Sequence, residues 1–156
     1  MRLWRISNHA DLSGDGGLLA AERWHSRGNR IVYLTDHPAS ALLEVLVHLE
    51  VDAEDLPGSY QMLAVEFPDD ISFQSIGIED LAAAWRDSQT LTRDLGDRWL
   101  RDAPTALLRV PSAITPFAAN WLLNPSHVDA ATAKIAGIYQ ASFDQRLLRV
   151  EPSPRR

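Results

Sequence analysis

The chain has 156 residues, 46% of them apolar and 23% charged, with a formal net charge of −6 and a pI near 5.3. That length suits one domain with a real core, and the mixed composition argues for a folded globule over a disordered chain. The acidity disfavours broad binding to nucleic acid or an anionic membrane, both of which reward a basic field. The absence of cysteine excludes disulfides, thiolate metal sites and a cysteine nucleophile.

In chain order, "LWRIS" (3–7) alternates like a short strand and "SGDGG" (13–17) reads as a flexible loop. "RIVYLT" (30–35) predicts a strand, rich in β-branched and aromatic residues. Asp36 as N-cap and Pro38 in the first turn predict a helix over 38–50. "SYQMLAVEF" (59–67) predicts a further strand, closed by Pro68. Helices are expected over 79–87 and 91–102, and a strand over "ALLRV" (106–110) that stops at Pro111. "VPSAITPFAANWLLNP" (110–125) reads as an unusually apolar loop. A short helix follows over 127–135, then strands over 135–140 and 146–150, and a disordered tail over 151–156. Strands and helices mix without βαβα alternation, so the fold class is α+β, with a single domain over 1–150.

No segment looks like a targeting or spanning element. The opening "MRLWRISNHADLSG" lacks the apolar stretch of a signal peptide, and no run approaches the roughly 18 apolar residues of a membrane span. The expectation is a cytoplasmic protein without membrane contact. Lys134 is the sole lysine, so arginine carries nearly all the positive charge. That suits bidentate contacts to phosphate or carboxylate, and codon bias would produce it equally well.

The chemistry centres on "ALLEVLVHLE" (41–50). On a helix at about 100° per residue, Ser40, Glu44 and His48 form one polar stripe roughly 80° wide amid Ala, Leu and Val. A surface helix shows a broader polar face, so this one is expected to be buried on most sides. Its stripe then meets either a strip of solvent, with a weak Glu–His contact, or a cleft. "AERWHSRGNR" (21–30) is either an anion-binding loop or a solvated turn. Ser112 and Asn120 either line a pocket or satisfy backbone groups. Tyr33 is a core aromatic or a ligand platform. Trp85, Trp99 and Trp121 are more readily core residues than interface anchors. No HExxH, GxGxxG, P-loop or GxSxG pattern is present, and no metal is expected.

Taken together, "RWHSRGNRIVYLTDHPASALLEVLVHLE", "VPSAI" and "NWLLNPSH" resemble the RES domain family, toxins paired with Xre-family antitoxins. The likeness runs from about "LWRIS" to "FDQRLL". On matching positions the family's Arg falls on Arg23, its Tyr on Tyr33, its Glu on Glu44 and its Ser on Ser112. The family's Gly-Gly-Arg-Trp-Asn motif stands here as "AERWH", with Ala21, Glu22 and His25 departing. The resemblance implies an ADP-ribosyltransferase-like split mixed β-core around a cleft for NAD+. The implied activity is cleavage of the nicotinamide–ribose bond, by water or with inorganic phosphate as co-substrate, with NAD+ a substrate and no resident cofactor. Glu44, Arg23 and Ser112 become the implied catalytic residues. Arg23, Tyr33, Ser112 and Asn120 become the implied substrate contacts, with Asn124 shaping the pocket. Protein ADP-ribosylation and a non-enzymatic binding module are the alternatives. The implied partners are an Xre-family antitoxin and, inside a hetero-oligomeric complex, a second copy of the chain. No direct contact with nucleic acid is implied.

Overall fold

A computed structural model describes residues 1–49 and 57–148. Its strands are β1 (Arg2–Ile6), β2 (Val32–Thr35), β3 (Tyr60–Glu66), β4 (Phe73–Ser75), β5 (Leu107–Pro111), β6 (Ala119–Leu123) and β7 (Lys134–Ala141). They form one seven-stranded sheet in the order β4-β5-β6-β2-β1-β3-β7. The β4–β5 pair is parallel and the rest are antiparallel. Helices α1 (Gly16–Leu19), α2 (Pro38–His48) and α3 (Gln89–Asp102) complete the regular elements. The class is α+β. Among the described residues, no helix is long and apolar enough to cross a membrane.

Both faces of the sheet are covered. Leu107, Trp121 and Leu123 join Leu3, Val32, Leu34 and Leu63 in one cluster, while Leu108, Val110 and Leu122 join Trp24, Trp85 and Trp99 in the other. Each such aliphatic side chain contributes roughly 1.5–3 kcal/mol by leaving water. Trp85, Trp99 and Trp121 are all core residues, at most 7% exposed.

Several elements differ from the sequence-based expectation. The apolar "loop" over 110–125 holds β6, which pairs with both β2 and β5. Buried on both faces, that strand has no alternating pattern to announce it. The helix expected over 79–87 is instead a 3-10 turn at Ile78–Asp80 followed by hydrogen-bonded turns. There Asp80 accepts from the Gly77 amide, Leu81 turns extended, and Trp85 drops into the core at 1% exposure. Over 127–135 the helix is a 3-10 turn at Val128–Thr132, with His127 accepting the Asp129 amide. Residues 145–148 form a further 3-10 turn where a strand was expected. Positions 149–150 of that strand, Glu50 and the tail lie outside the described residues. α2 is capped by His37 rather than Asp36, its Nδ1 accepting the Ala39 amide.

The burial of α2 is also corrected. It packs on β1 and β2, but only Ala41 is buried, and Leu43 and Val47 are 37% and 57% exposed. One face meets the sheet and carries Glu44; the opposite, apolar face is open among the described residues.

Candidate active site

A cavity of about 280 Å³ lies between α2 and the sheet. β1 supplies Trp4, Arg5 and Ile6, β2 supplies Tyr33, Leu34 and Thr35, α2 supplies Ala41, Glu44, Val45 and His48, and β6 supplies Asn120. The segment before β2 closes one side with Gly16, Gly17, Glu22, His25 and Ile31. Strand order explains the assembly. β6, β2 and β1 are adjacent, so residues far apart in sequence share one wall.

Glu44 is the best-anchored acid of this cavity. Its Oε1 accepts from Asn120 Nδ2 at 2.7 Å and from Ser112 Oγ at 3.3 Å. Ser112 is 4% exposed, and its hydroxyl oxygen accepts the amides of Ile114 (3.2 Å) and Thr115 (3.1 Å). Those amides orient the hydroxyl so that its proton points at the carboxylate. Ser112 therefore braces Glu44 from behind, and it is not among the cavity-lining residues. Glu44 Oε2 has no partner among the described residues. A carboxylate only accepts, so Asn120 must turn its nitrogen to Glu44, which leaves Asn120 Oδ1 buried without a donor. His48 does not orient the carboxylate. Its Nδ1 donates to the Glu44 backbone carbonyl at 2.6 Å, on the rim of the same cavity.

Tyr33 presents its ring to the cavity and its hydroxyl to the protein. The phenolic oxygen accepts from the Trp24 amide (3.2 Å) and lies 2.8 Å from His25 Nδ1. His25 Nε2 is 2.9 Å from the Ala20 carbonyl, which can only accept. So Nε2 carries a proton, and in that tautomer of the neutral ring Nδ1 accepts from the Tyr33 hydroxyl. Burial, reinforced by the Glu22 charge, pushes the Tyr33 phenol far above its ordinary range, so it stays protonated. His25 thus takes a specific structural place at the departure from the family motif.

α3 mounts this segment. Thr92 Oγ1 donates to the Arg23 carbonyl at 2.6 Å, and Arg93 Nε to the Glu22 carbonyl at 2.7 Å. Asp97 Oδ1 accepts the Ser26 amide (2.8 Å) and Asn29 Nδ2 (3.0 Å). Gly96 lets the helix approach so closely that a Cβ there would collide with the Trp24 carbonyl.

Of the residues singled out from sequence, Glu44, Ser112 and Asn120 meet in one hydrogen-bonded group and Tyr33 stands on the cavity wall beside them. Arg23 does not face the cavity. Its Nη1 donates to the Trp85 carbonyl at 3.2 Å, with the guanidinium 5.8 Å from the Trp85 ring centre. Asn124 is 2% exposed and is used structurally, donating to the Leu100 carbonyl and accepting the Ser126 amide. The cation that does line the cavity is Arg5. Its Nη1 is buried without a hydrogen-bond partner, and burial lowers its pKa against the raising effect of Asp11 and Glu22. Sequence reasoning passed over it. The available signal was parity: in β1, Arg5 shares a face with the buried Leu3.

Comparison with known proteins identifies the family. The RES domain profile matches residues 2–146. The chain is 49% identical over 135 residues to "Toxin Res" of Pseudomonas putida, covering 86% of this chain and 92% of that protein. It is 34% identical over 157 residues to "Prs ADP-ribosylating toxin" of a Sphingobium species, covering 94% and 96%. In fold it resembles the M. tuberculosis MbcT-MbcA toxin-antitoxin complex, with a TM-score of 0.74 at 14% identity, over 94% of this chain and 86% of that one. With most of its length inside the RES profile and close to half of the aligned residues shared with a Res toxin, the chain belongs to the RES domain family.

Proposed function

We propose that this chain is a toxin that binds NAD+ in the α2–sheet cavity and breaks its nicotinamide–ribose bond. One observation carries the reading: Glu44 is held through Oε1 by Ser112 and Asn120, with no partner on its other oxygen among the described residues, in a cavity whose only described lining guanidinium or ammonium is Arg5. Nicotinamide leaves as a neutral molecule and needs no acid. The positive charge that develops is on the ribose. A fixed carboxylate beside that ribose stabilises the charge without reorganising as it forms.

Arg5 suits the diphosphate, since a guanidinium whose Nη1 is buried without a hydrogen-bond partner among the described residues recovers its lost hydration from an anion. The Tyr33 ring offers a stacking surface for nicotinamide or ribose, and its hydroxyl is not available to either. Asn120 Oδ1 accepts from a ribose hydroxyl or the carboxamide. Arg23 supports the segment that carries Glu22 and His25, acting through position.

A second reading keeps the bond and changes the acceptor. One relative is named for ADP-ribosylation of Prs, so transfer to a protein is the alternative. The partner proposed for the toxin is an antitoxin of the Xre family. Expression in a bacterial host, with cellular NAD+ and growth followed together, tests the proposal. NAD+ falling before growth stops, with both effects lost in Glu44→Gln, is expected. Growth arrest at constant NAD+, with a labelled host protein, would support the second reading.

A further inference from the structure

The charges lining the cavity are unbalanced. Among the described residues they are Arg5, Glu22 and Glu44, one guanidinium against two carboxylates, with His25 and His48 as the lining imidazoles. Both ring nitrogens of His25 are taken up by Tyr33 and Ala20, His48 Nδ1 is bonded to the Glu44 carbonyl, and Arg23 is turned to Trp85. Glu22 is exposed at the cavity edge, and its backbone is fixed there. Its amide donates to the His25 carbonyl at 3.1 Å, and its carbonyl accepts from Arg93 Nε at 2.7 Å. Its charge acts on Tyr33 and on Arg5 from there. A dinucleotide brings two negative charges on its diphosphate, which the single guanidinium answers only in part. An anionic second reactant would enter a cavity with no further guanidinium or ammonium among the described lining residues and two carboxylates facing it.

We infer that Glu22 selects the acceptor of the reaction, excluding inorganic phosphate by charge so that water attacks the ribose. This rests on the reading of the cavity as an NAD+-cleaving site. In the step, the bond between ribose C1′ and the nicotinamide nitrogen breaks, with its electron pair leaving on nicotinamide. A water oxygen bonds C1′, and one of its protons passes to bulk water. The products are ADP-ribose, nicotinamide and a proton. With phosphate as attacker, a phosphate oxygen would take the place of water at C1′ and the product would be ADP-ribose phosphorylated at that carbon.

The test incubates the purified full chain with NAD+ across a phosphate titration at constant ionic strength, and separates the two sugar products by chromatography. Wild type, Glu22→Gln and Glu22→Ala are compared, and thermal melting checks that each is folded. The expected result is ADP-ribose as the main wild-type product at every phosphate concentration. In both variants the share of phosphorylated product should rise by about fivefold or more, the order expected from removing one partly screened like charge. A wild-type enzyme that makes mainly the phosphorylated product overturns the inference. So does a product ratio unmoved in both folded variants. If wild type releases no nicotinamide in any arm, the NAD+ reading falls and the inference falls with it, an outcome distinguishable from the other two.

Discussion

In the proposed reaction Glu44 is the residue on which the chemistry depends, and its bracing makes a clean substitution available. In Glu44→Gln the amide oxygen can still accept from Ser112 and Asn120, so the fold should survive while the negative charge is lost. Nicotinamide release should fall by about 10²-fold or more, the usual scale for a lost transition-state stabiliser. Asn120→Ala should cost less, because Ser112 still holds the carboxylate, and initial rates rank the two. Tyr33→Phe separates ring from hydroxyl. It leaves the Trp24 amide and His25 Nδ1 without their partner, at a cost of about 1–3 kcal/mol in urea unfolding. The retained ring should keep the KM for NAD+ within a fewfold of wild type.

The same tyrosine makes a pH prediction. Its folded pKa lies above the unfolded value, so its contribution is fully present below about pH 10. As pH rises past that point the unfolded phenol ionises first, and stability is lost. Tyr33→Phe should show a shallower alkaline decline in unfolding free energy than wild type. Of the site, Glu44 was legible as a carboxylate on an otherwise apolar helix and Asn120, like Ser112, as a polar residue in an apolar segment, while the family resemblance picked out Ser112 and Tyr33 for the site. Arg5 was not, and Glu22 stood out only as a departure from the family motif, because what joins the two is the shared cavity, and only the pairing of β1 with β2 creates it.

Among the elements, α3 does more than cover the sheet. Through Thr92, Arg93, Gly96 and Asp97 it holds the segment that carries Glu22 and His25. Gly96→Ala therefore tests which effect wins. Helix propensity alone predicts a gain of about 1 kcal/mol. The collision with the Trp24 carbonyl predicts a net loss of about 1–3 kcal/mol, together with lower NAD+ turnover, readable by thermal melting and initial rates. β1, β2, β3, β5, α2 and α3 were legible from alternation, capping and turn residues. β6 and the short β4 were not, since one is buried on both faces and the other is three residues long. The false helix over 79–87 has helical residues in a segment whose path is set by burying Trp85. The open outer face of α2 was missed for a related reason: composition reports how apolar a helix is, and only packing reports which side is covered.

At the scale of the whole molecule, the strand order β6-β2-β1 brings Asn120, Tyr33 and Arg5 to one cavity, to which α2 adds Glu44. A ligand bridging these elements should stabilise the folded state by mass action. ADP-ribose should raise the melting temperature of wild type, and Arg5→Gln should lose most of that shift while its unliganded melting temperature holds or rises, because Arg5 Nη1 is buried without a partner. The central claim is that the cavity cleaves the nicotinamide–ribose bond with Glu44. Nicotinamide release by the purified, antitoxin-free chain from NAD+, measured beside folded Glu44→Gln, tests it most directly. Release by wild type that is nearly abolished in the variant is the predicted result. Equal release by both proteins, or intact NAD+ with both, would contradict the account.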